Sequence, residues 1–212
     1  MFLIFAVKLM RPERSPQSLP PVIVLFGLVF LPFLFFHHRS EGSIRVGTGS
    51  EQKGDAVLLE QKRASLGLPV RLRIPSIGVD TPFEYVGLTK SGAIGVPKER
   101  SNVAWFTHGP HPGESGTAIV VGHYGWGNKK SSVFDNLHKL GKGDKLYIED
   151  EEGETTTFVV RESRKYDKHE DPPELFGLAD GRSYLNLITC DGEWDATSKT
   201  YSQRLVVFTE KE

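Results

Sequence analysis

From residue 68 onward the chain is a succession of short apolar runs, each closed by turn residues. That texture constrains the fold more than any other feature. "PVRLRI" alternates apolar and polar from Val70 to Ile74, the period-2 signature of a half-buried strand. "TPFEYVG" and "NVAWFTH" read as a second and a third strand. "GTAIVVGH", residues 116–123, is a continuous apolar run of the buried-strand type. "DKLYIED" and "TTTFVVRES" flank the turn "EEGE", "SRKYD" follows, and "SYLNLITC" and "QRLVVFTE" close the chain. Only "SSVFDNLHKL" carries helical spacing, with Val133, Leu137 and Leu140 on one side, Phe134 beside them, and Ser131 or Ser132 as N-cap. The 22 Gly and 13 Pro fit many turns and few long helices. Seven or eight strands with one good helix predict a mainly all-β domain closed into a barrel, which leaves no exposed sheet edge.

The N-terminal third is different. Residues 19–36, "LPPVIVLFGLVFLPFLFF", contain no charge, and about 20 mostly apolar residues suffice to cross a bilayer core. Pro20 and Pro21 open the run, and Pro32 is of a kind that membrane helices tolerate. Lys8, Arg11 and Arg14 precede it, while Arg39 and Arg45 follow. The charge rule for flanks favours residues 1–18 as a cytoplasmic segment, 19–36 as a transmembrane anchor and an external C-terminal body. A cleaved signal peptide is the rival, but the run is long and no A-x-A pattern follows it. "MFLIFAVKLM" is also apolar, reading as a short in-plane segment, and Met10 is as good a start as Met1. Residues 37–68 read as an extracellular linker, polar and Gly/Ser-rich at first, with a short helix or more stalk over 56–66. Residues 69–212 form the folded domain.

A net charge of −1 with 25 % charged residues gives no reason to expect nucleic acid as partner. One cysteine, Cys190, excludes an internal disulfide and a multi-thiolate zinc site. It ends one core strand, His123 ends another, and Arg204 begins the last. Each alone is more often packing or solvated surface. Together they make physical sense for thiol acyl transfer. An imidazolium stabilises a thiolate and protonates a leaving amine. A guanidinium, charged at any working pH, stabilises the oxygen that becomes negative when thiolate attacks a carbonyl. Between Asp191 and Glu212, Arg204 is the only arginine.

These residues resemble a known family. "LNLITC" is similar to the sortase signature T-L-x-T-C, "AIVVGH" to its strand ending in histidine, and "QRLVVF" to its strand-opening arginine. "RLRIPSIGVDTPF", "PGESGTAIVVGH", "VFDNLHKLGKGDKLYIED" and "TYSQRLVVF" follow in family order over residues 69–210. Asn186 stands where the signature has its first Thr. "IPSIGVD" and "PGESG" look like classes E and F, whereas the long turn from "TCD" to Arg204 is closer to classes A and D. The resemblance implies an eight-stranded β-barrel with one or two short helices behind an N-terminal transmembrane helix. It also implies a membrane-tethered cysteine transpeptidase. Such an enzyme cuts an L-P-x-T-G-like C-terminal sorting signal between Thr and Gly. It passes the acyl group to an amine, from a cell-wall precursor or a pilin lysine. Cys190 would be the nucleophile, His123 the general acid/base and Arg204 the substrate and oxyanion stabiliser. Thr189 would belong to the substrate-binding set, its backbone shaping the site. No cofactor is implied.

Other features point elsewhere more weakly. His108 and His111 could join His123 as zinc ligands, but loop spacing proves nothing. "EDEEGE", residues 149–154, could take calcium, though a solvated hairpin turn explains it better. The long loop over residues 168–183 is expected to grip substrate. "YGWGNKKS" carries glycine hinges next to Tyr124 and Trp126. Three rival functions stay open: a thiol hydrolase using water, an L,D-transpeptidase, whose S-H-G-C motif "ITCDG" lacks, and a non-catalytic membrane-anchored binding module.

Overall fold

The computed structural model describes residues 4–6, 67–125, 131–170, 172–177 and 180–212. The expected anchor over 19–36 and nearly all of the linker lie outside these. No helix among the described residues is long and apolar enough to cross a membrane.

The strands are β1 (Ile4–Ala6), β2 (Pro69–Ile74), β3 (Val79–Val86), β4 (Ala93–Ile94) and β5 (Val103–Phe106), then β6 (Gly116–Gly122), β7 (Lys145–Asp150), β8 (Thr155–Asp167), β9 (Ser183–Asp195) and β10 (Thr200–Lys211). Eight of them close into a barrel in the order β10-β8-β7-β2-β3-β5-β6-β9. The all-β, closed, eight-stranded expectation therefore holds. Two neighbour pairs are parallel, β3 with β5 and β6 with β9. The others are antiparallel. Outside the barrel β1 pairs antiparallel with β4.

Side-chain alternation explains the long apolar runs. Ala118 and Val120 of β6, Leu185 and Leu187 of β9, and Leu205 and Val207 of β10 point into the barrel core. Their neighbours Ile119, Val121, Ile188 and Val206 point outward, yet they are buried too, in a second apolar layer. Strands buried on both faces lose the period-2 pattern and become continuous. Each fully buried aliphatic side chain contributes roughly 1.5–3 kcal/mol. The outer layer is covered by Leu175, from the loop between β8 and β9, and by Ile94 of β4. Asn186, also facing outward, donates to the Leu175 carbonyl at 3.0 Å and fastens that loop.

The expected helix over residues 131–140 is corrected. Residues 133–136 form a turn, and Leu137–Lys139 is one turn of 3-10 helix. The bonds run three residues back: Leu137 to Phe134 at 3.1 Å, Lys139 to Asn136 at 2.9 Å and Leu140 to Leu137 at 3.1 Å. The reason is packing. Phe134 is fully buried against Gly122, and its N–H donates to the His123 carbonyl at 3.0 Å. A continuous helix could not hold both contacts and still bury Leu137 and Leu140. Among the described residues the helical segments are three single 3-10 turns, at Pro75–Ile77, Leu137–Lys139 and Pro173–Leu175. "TTTFVVRES" and "SRKYD" belong to one strand, β8, with a bulge opposite Phe208 and Thr209. The acidic stretch after β7 is a hairpin turn, with Asp150 accepting from the N–H groups of Glu152 and Glu154.

Candidate active site

The candidate residues Cys190 and Arg204 lie on the outer face of β9 and β10, and His123 follows the last residue of β6. Arg204 lies opposite Cys190 in the β9–β10 ladder. On its other side Arg204 lies opposite Tyr166 of β8. The parallel β6–β9 ladder ends at the pair Val121–Ile188. Cys190 comes two residues further along β9, on the same face as Ile188, and His123 lies just past the end of β6. A row Tyr166, Arg204, Cys190 thus crosses one rim of the barrel, above the apolar outer layer, with His123 at the end of the neighbouring strand. The fold gathers the three residues expected to share a groove, from positions 67 and 14 residues apart in the chain.

Cys190 is a free thiol, 7 % exposed. Burial pushes its pKa above the usual thiol value, and the Arg204 charge opposes the shift. Arg204 is 2 % exposed. Its Nη1 donates to the carbonyls of Tyr201 (3.0 Å) and Gln203 (2.8 Å), and its Nη2 to Thr200 Oγ1 (3.1 Å). These bonds hold the guanidinium in place by its own strand. Immediately past Cys190 the ladder shifts register. Gly192 there has a φ of 81°, with Ser202 Oγ where a Cβ would be. A bulge at this point bends the strand away beyond Cys190.

His123 is half-buried, and its Nε2 lies 2.8 Å from the Pro97 carbonyl oxygen. A carbonyl only accepts, so Nε2 carries the proton. The segment after His123 is clamped by Asp135, whose two carboxylate oxygens accept from the N–H groups of Gly125 and Ser132, each at 2.8 Å. Tyr124, Tyr201 and Trp194 meet edge to face beside this segment, with centroids 5.3 and 5.2 Å apart.

Thr189 is placed differently from its neighbours. It is 1 % exposed, faces the interior, and donates its hydroxyl to the Gly122 carbonyl at 2.8 Å. A side chain so buried does not reach a ligand in the outer groove. It ties β9 to β6 one residue before each of Cys190 and His123, and so fixes their register. The loop expected to grip substrate packs Leu175 onto the outer layer, while Phe176 beside it is exposed. Tyr166 donates to Glu174 of this loop at 2.9 Å; burial and that carboxylate push its pKa up to about 12. Sequence reading did not single out Tyr166 or Pro97, since neither residue type signals a site at a strand end or in a loop. His108 and His111 pack on Phe106 and Trp105. No group of three or more His, Cys, Asp or Glu among the described residues is placed to hold a metal ion.

A sequence profile described as "Sortase domain" matches residues 72–212. The chain belongs to the sortase family. It is accordingly an enzyme, of a family of cysteine transpeptidases. Solved sortases share the fold. Sortase C-1 from Actinomyces oris is 23 % identical with a TM-score of 0.52, over 76 % of this chain and 98 % of that one. A lid mutant of sortase A from Corynebacterium diphtheriae is 23 % identical with a TM-score of 0.54, over 78 % and 81 %. The Group B Streptococcus Pilus Island 1 sortase C2 is 20 % identical with a TM-score of 0.52, over 78 % and 99 %. No curated protein matches the chain. In this sortase the row at the barrel rim supplies the residue types that a thiol transpeptidase needs.

Proposed function

We propose that this sortase cleaves an L-P-x-T-G-like sorting signal between Thr and Gly and transfers the new carboxyl end to an amine of the cell envelope. The ladder pairing of buried Cys190 with buried Arg204, with His123 just past the end of the adjacent strand, carries the reading. The Cys190 thiolate attacks the Thr carbonyl carbon, and the oxygen turns negative beside the Arg204 guanidinium. His123 gives a proton to the departing Gly amine as the C–N bond breaks, leaving a thioester. The acceptor amine then attacks that thioester, His123 takes its proton, and Cys190 leaves. The raised thiol pKa means that the resting thiol is mostly protonated near neutral pH. Ionisation therefore needs the positive neighbours.

The extended signal would lie along the outer apolar layer beneath the loop over residues 168–183, and Thr189 would contribute through its backbone. Clients would be L-P-x-T-G-like proteins, and acceptors a peptidoglycan precursor or a pilin lysine. The class E/F likeness of the motifs belongs to this reading. So does localisation, with residues 19–36 anchoring the chain and the barrel outside. In an inserted chain of that topology, β1 would be across the bilayer from β4, and the eight-stranded barrel closes without that pairing.

Intact mass spectrometry of the detergent-solubilised chain with an L-P-x-T-G peptide tests the reading. An adduct on Cys190 carrying the peptide up to Thr is expected, cleared by added amine. Full cleavage by Cys190→Ala would overturn it. Product that never incorporates amine would make the enzyme a hydrolase.

A further inference from the structure

The Pro97–Lys98 peptide group has both of its polar ends engaged. Its carbonyl oxygen lies 2.8 Å from His123 Nε2. Its N–H, that of Lys98, donates to Glu84 Oε2 at 2.8 Å. The other oxygen of Glu84 accepts from the Glu99 N–H at 3.0 Å and from Asn102 Nδ2 at 3.1 Å. Glu84 is half-buried in β3, opposite Ala104 of β5. Its carboxylate thus caps the loop that follows β4 with three donors. Partial burial works to raise its pKa, but the N–H groups of Lys98 and Glu99 and the Asn102 amide outweigh that and hold it below the ordinary value.

We propose that Glu84 is a positioning residue for His123 that acts through the Pro97–Lys98 peptide group: carboxylate, peptide and imidazole form one hydrogen-bonded chain. The inference rests on His123 being the acid/base of the proposed reaction. A charged acceptor on the N–H of an amide makes its carbonyl a stronger acceptor, because hydrogen bonds in series polarise one another. The carbonyl in turn keeps a proton on Nε2, so that the proton exchanged during catalysis is the one on Nδ1. The negative charge sits one peptide away from the ring, where it biases the acid/base without competing for its proton. Glu84 is one polar residue of the strand "TPFEYVG", and the relay runs through main chain, so no residue type announces it.

The charged and titratable groups near His123 along the chain and the strand ladder are Cys190 from β9, Arg204 from β10, Tyr124 and Asp135 from the segment after β6, and Lys98 and Glu99 from the loop. A substitution at Glu84 changes none of these six residues, and Asn102→Ala controls for loosening of the loop that carries Lys98 and Glu99. The test is nitrogen NMR of the His123 ring in the full chain in detergent micelles, which reads the tautomer, with kcat and KM measured on an L-P-x-T-G peptide. Glu84→Gln is expected to move part of the neutral ring from the Nε2-protonated to the Nδ1-protonated form. It is also expected to reduce kcat about tenfold with KM unchanged, a small part of what a positioned acid/base supplies. Asn102→Ala loosens the same loop but keeps the carboxylate, and the ring signals should stay as in the wild type. Glu84→Asp should restore most of the wild-type tautomer. If Glu84→Gln leaves the ring signals unmoved, or Asn102→Ala moves them equally, the relay is wrong. Should Glu84→Gln not fold, the wild type alone decides: a neutral ring protonated on Nδ1 rather than Nε2 overturns the proposal. Wild-type cleavage by His123→Ala would instead sink the acid/base reading and leave the NMR comparison standing.

Discussion

Arg204 faces Cys190 directly across the β9–β10 ladder, and both are buried. The pair sets two opposed effects on one sulfur: burial disfavours the thiolate and the guanidinium favours it. Arg204→Ala should therefore push the Cys190 pKa further up, seen as an alkylation rate that rises only at higher pH. Turnover should fall about 10²–10³-fold, the range for removing one donor to a developing oxyanion. Arg204→Lys keeps a charge but loses the planar fork and should recover only part of the rate. An unchanged alkylation profile in Arg204→Ala would remove the electrostatic role.

Thr189 to Gly122 is a buried hydroxyl-to-carbonyl bond between β9 and β6, one residue before Cys190 and His123 respectively. Thr189→Val keeps the shape and orphans the carbonyl. A loss of about 1–3 kcal/mol is expected in urea unfolding, with kcat falling and the thiol pKa unchanged. Retained stability would show that the carbonyl finds another partner.

At Gly122 a Cβ would stand 2.4 Å from Phe134 Cδ2 and 2.8 Å from Val133 Cγ1. Gly122→Ala must displace the 131–137 turn or β6 itself. Overpacking of this kind costs about 1–3 kcal/mol. Because His123 is the next residue, kcat should drop along with the melting temperature. Phe134→Leu in the same chain should relieve part of the stability loss, and its failure to do so would discount the contact.

Tyr166 fastens the β8–β9 loop through Glu174, which also takes Arg164 Nη1 at 3.3 Å. Tyr166→Phe removes one bond to a charged group and leaves the row of reacting residues in place. KM for a sorting-signal peptide should rise severalfold, with kcat within about twofold, if binding contacts at this loop act equally in ground and transition states. A fall in kcat alone would place Tyr166 closer to the chemistry.

Strong acid should open the β9–β10 hairpin. Asp195 is held at a pKa of about 2 by the Ser198 hydroxyl and the N–H groups of Thr197 and Ser198, against an ordinary 3.8. A carboxyl with a depressed folded pKa stabilises the turn above its unfolded pKa and loses that contribution as pH falls through the folded one. Amide exchange at Thr197 and Ser198 should accelerate between about pH 4 and pH 2, and Asp195→Asn should flatten that dependence.

The strands around Cys190, His123 and Arg204 were legible as apolar runs, and burial on both faces makes such runs long. Their ends were not: β9 continues past Cys190 to Asp195, β6 stops one residue before His123, and β10 begins four residues before Arg204. The barrel followed from their number. The 131–140 segment misled because Val133, Leu137 and Leu140 have helical spacing, whereas a close approach of Phe134 to Gly122 decided the backbone. Thr189 sits in the signature next to the nucleophile, but strand alternation sends its side chain inside. Glu84 and the Pro97 carbonyl were invisible, one as an ordinary strand acid and the other as main chain.

β10 is the last strand of the barrel, lying between β8 and β9, and Arg204 is in it. Its pairing with β9 runs across a short turn and is local, whereas its pairing with β8 spans the loop over residues 168–183 and all of β9. Local contacts form more readily than those that close long loops. Arg204 therefore meets Cys190 within a hairpin, and the closing of the wall onto β8 comes after.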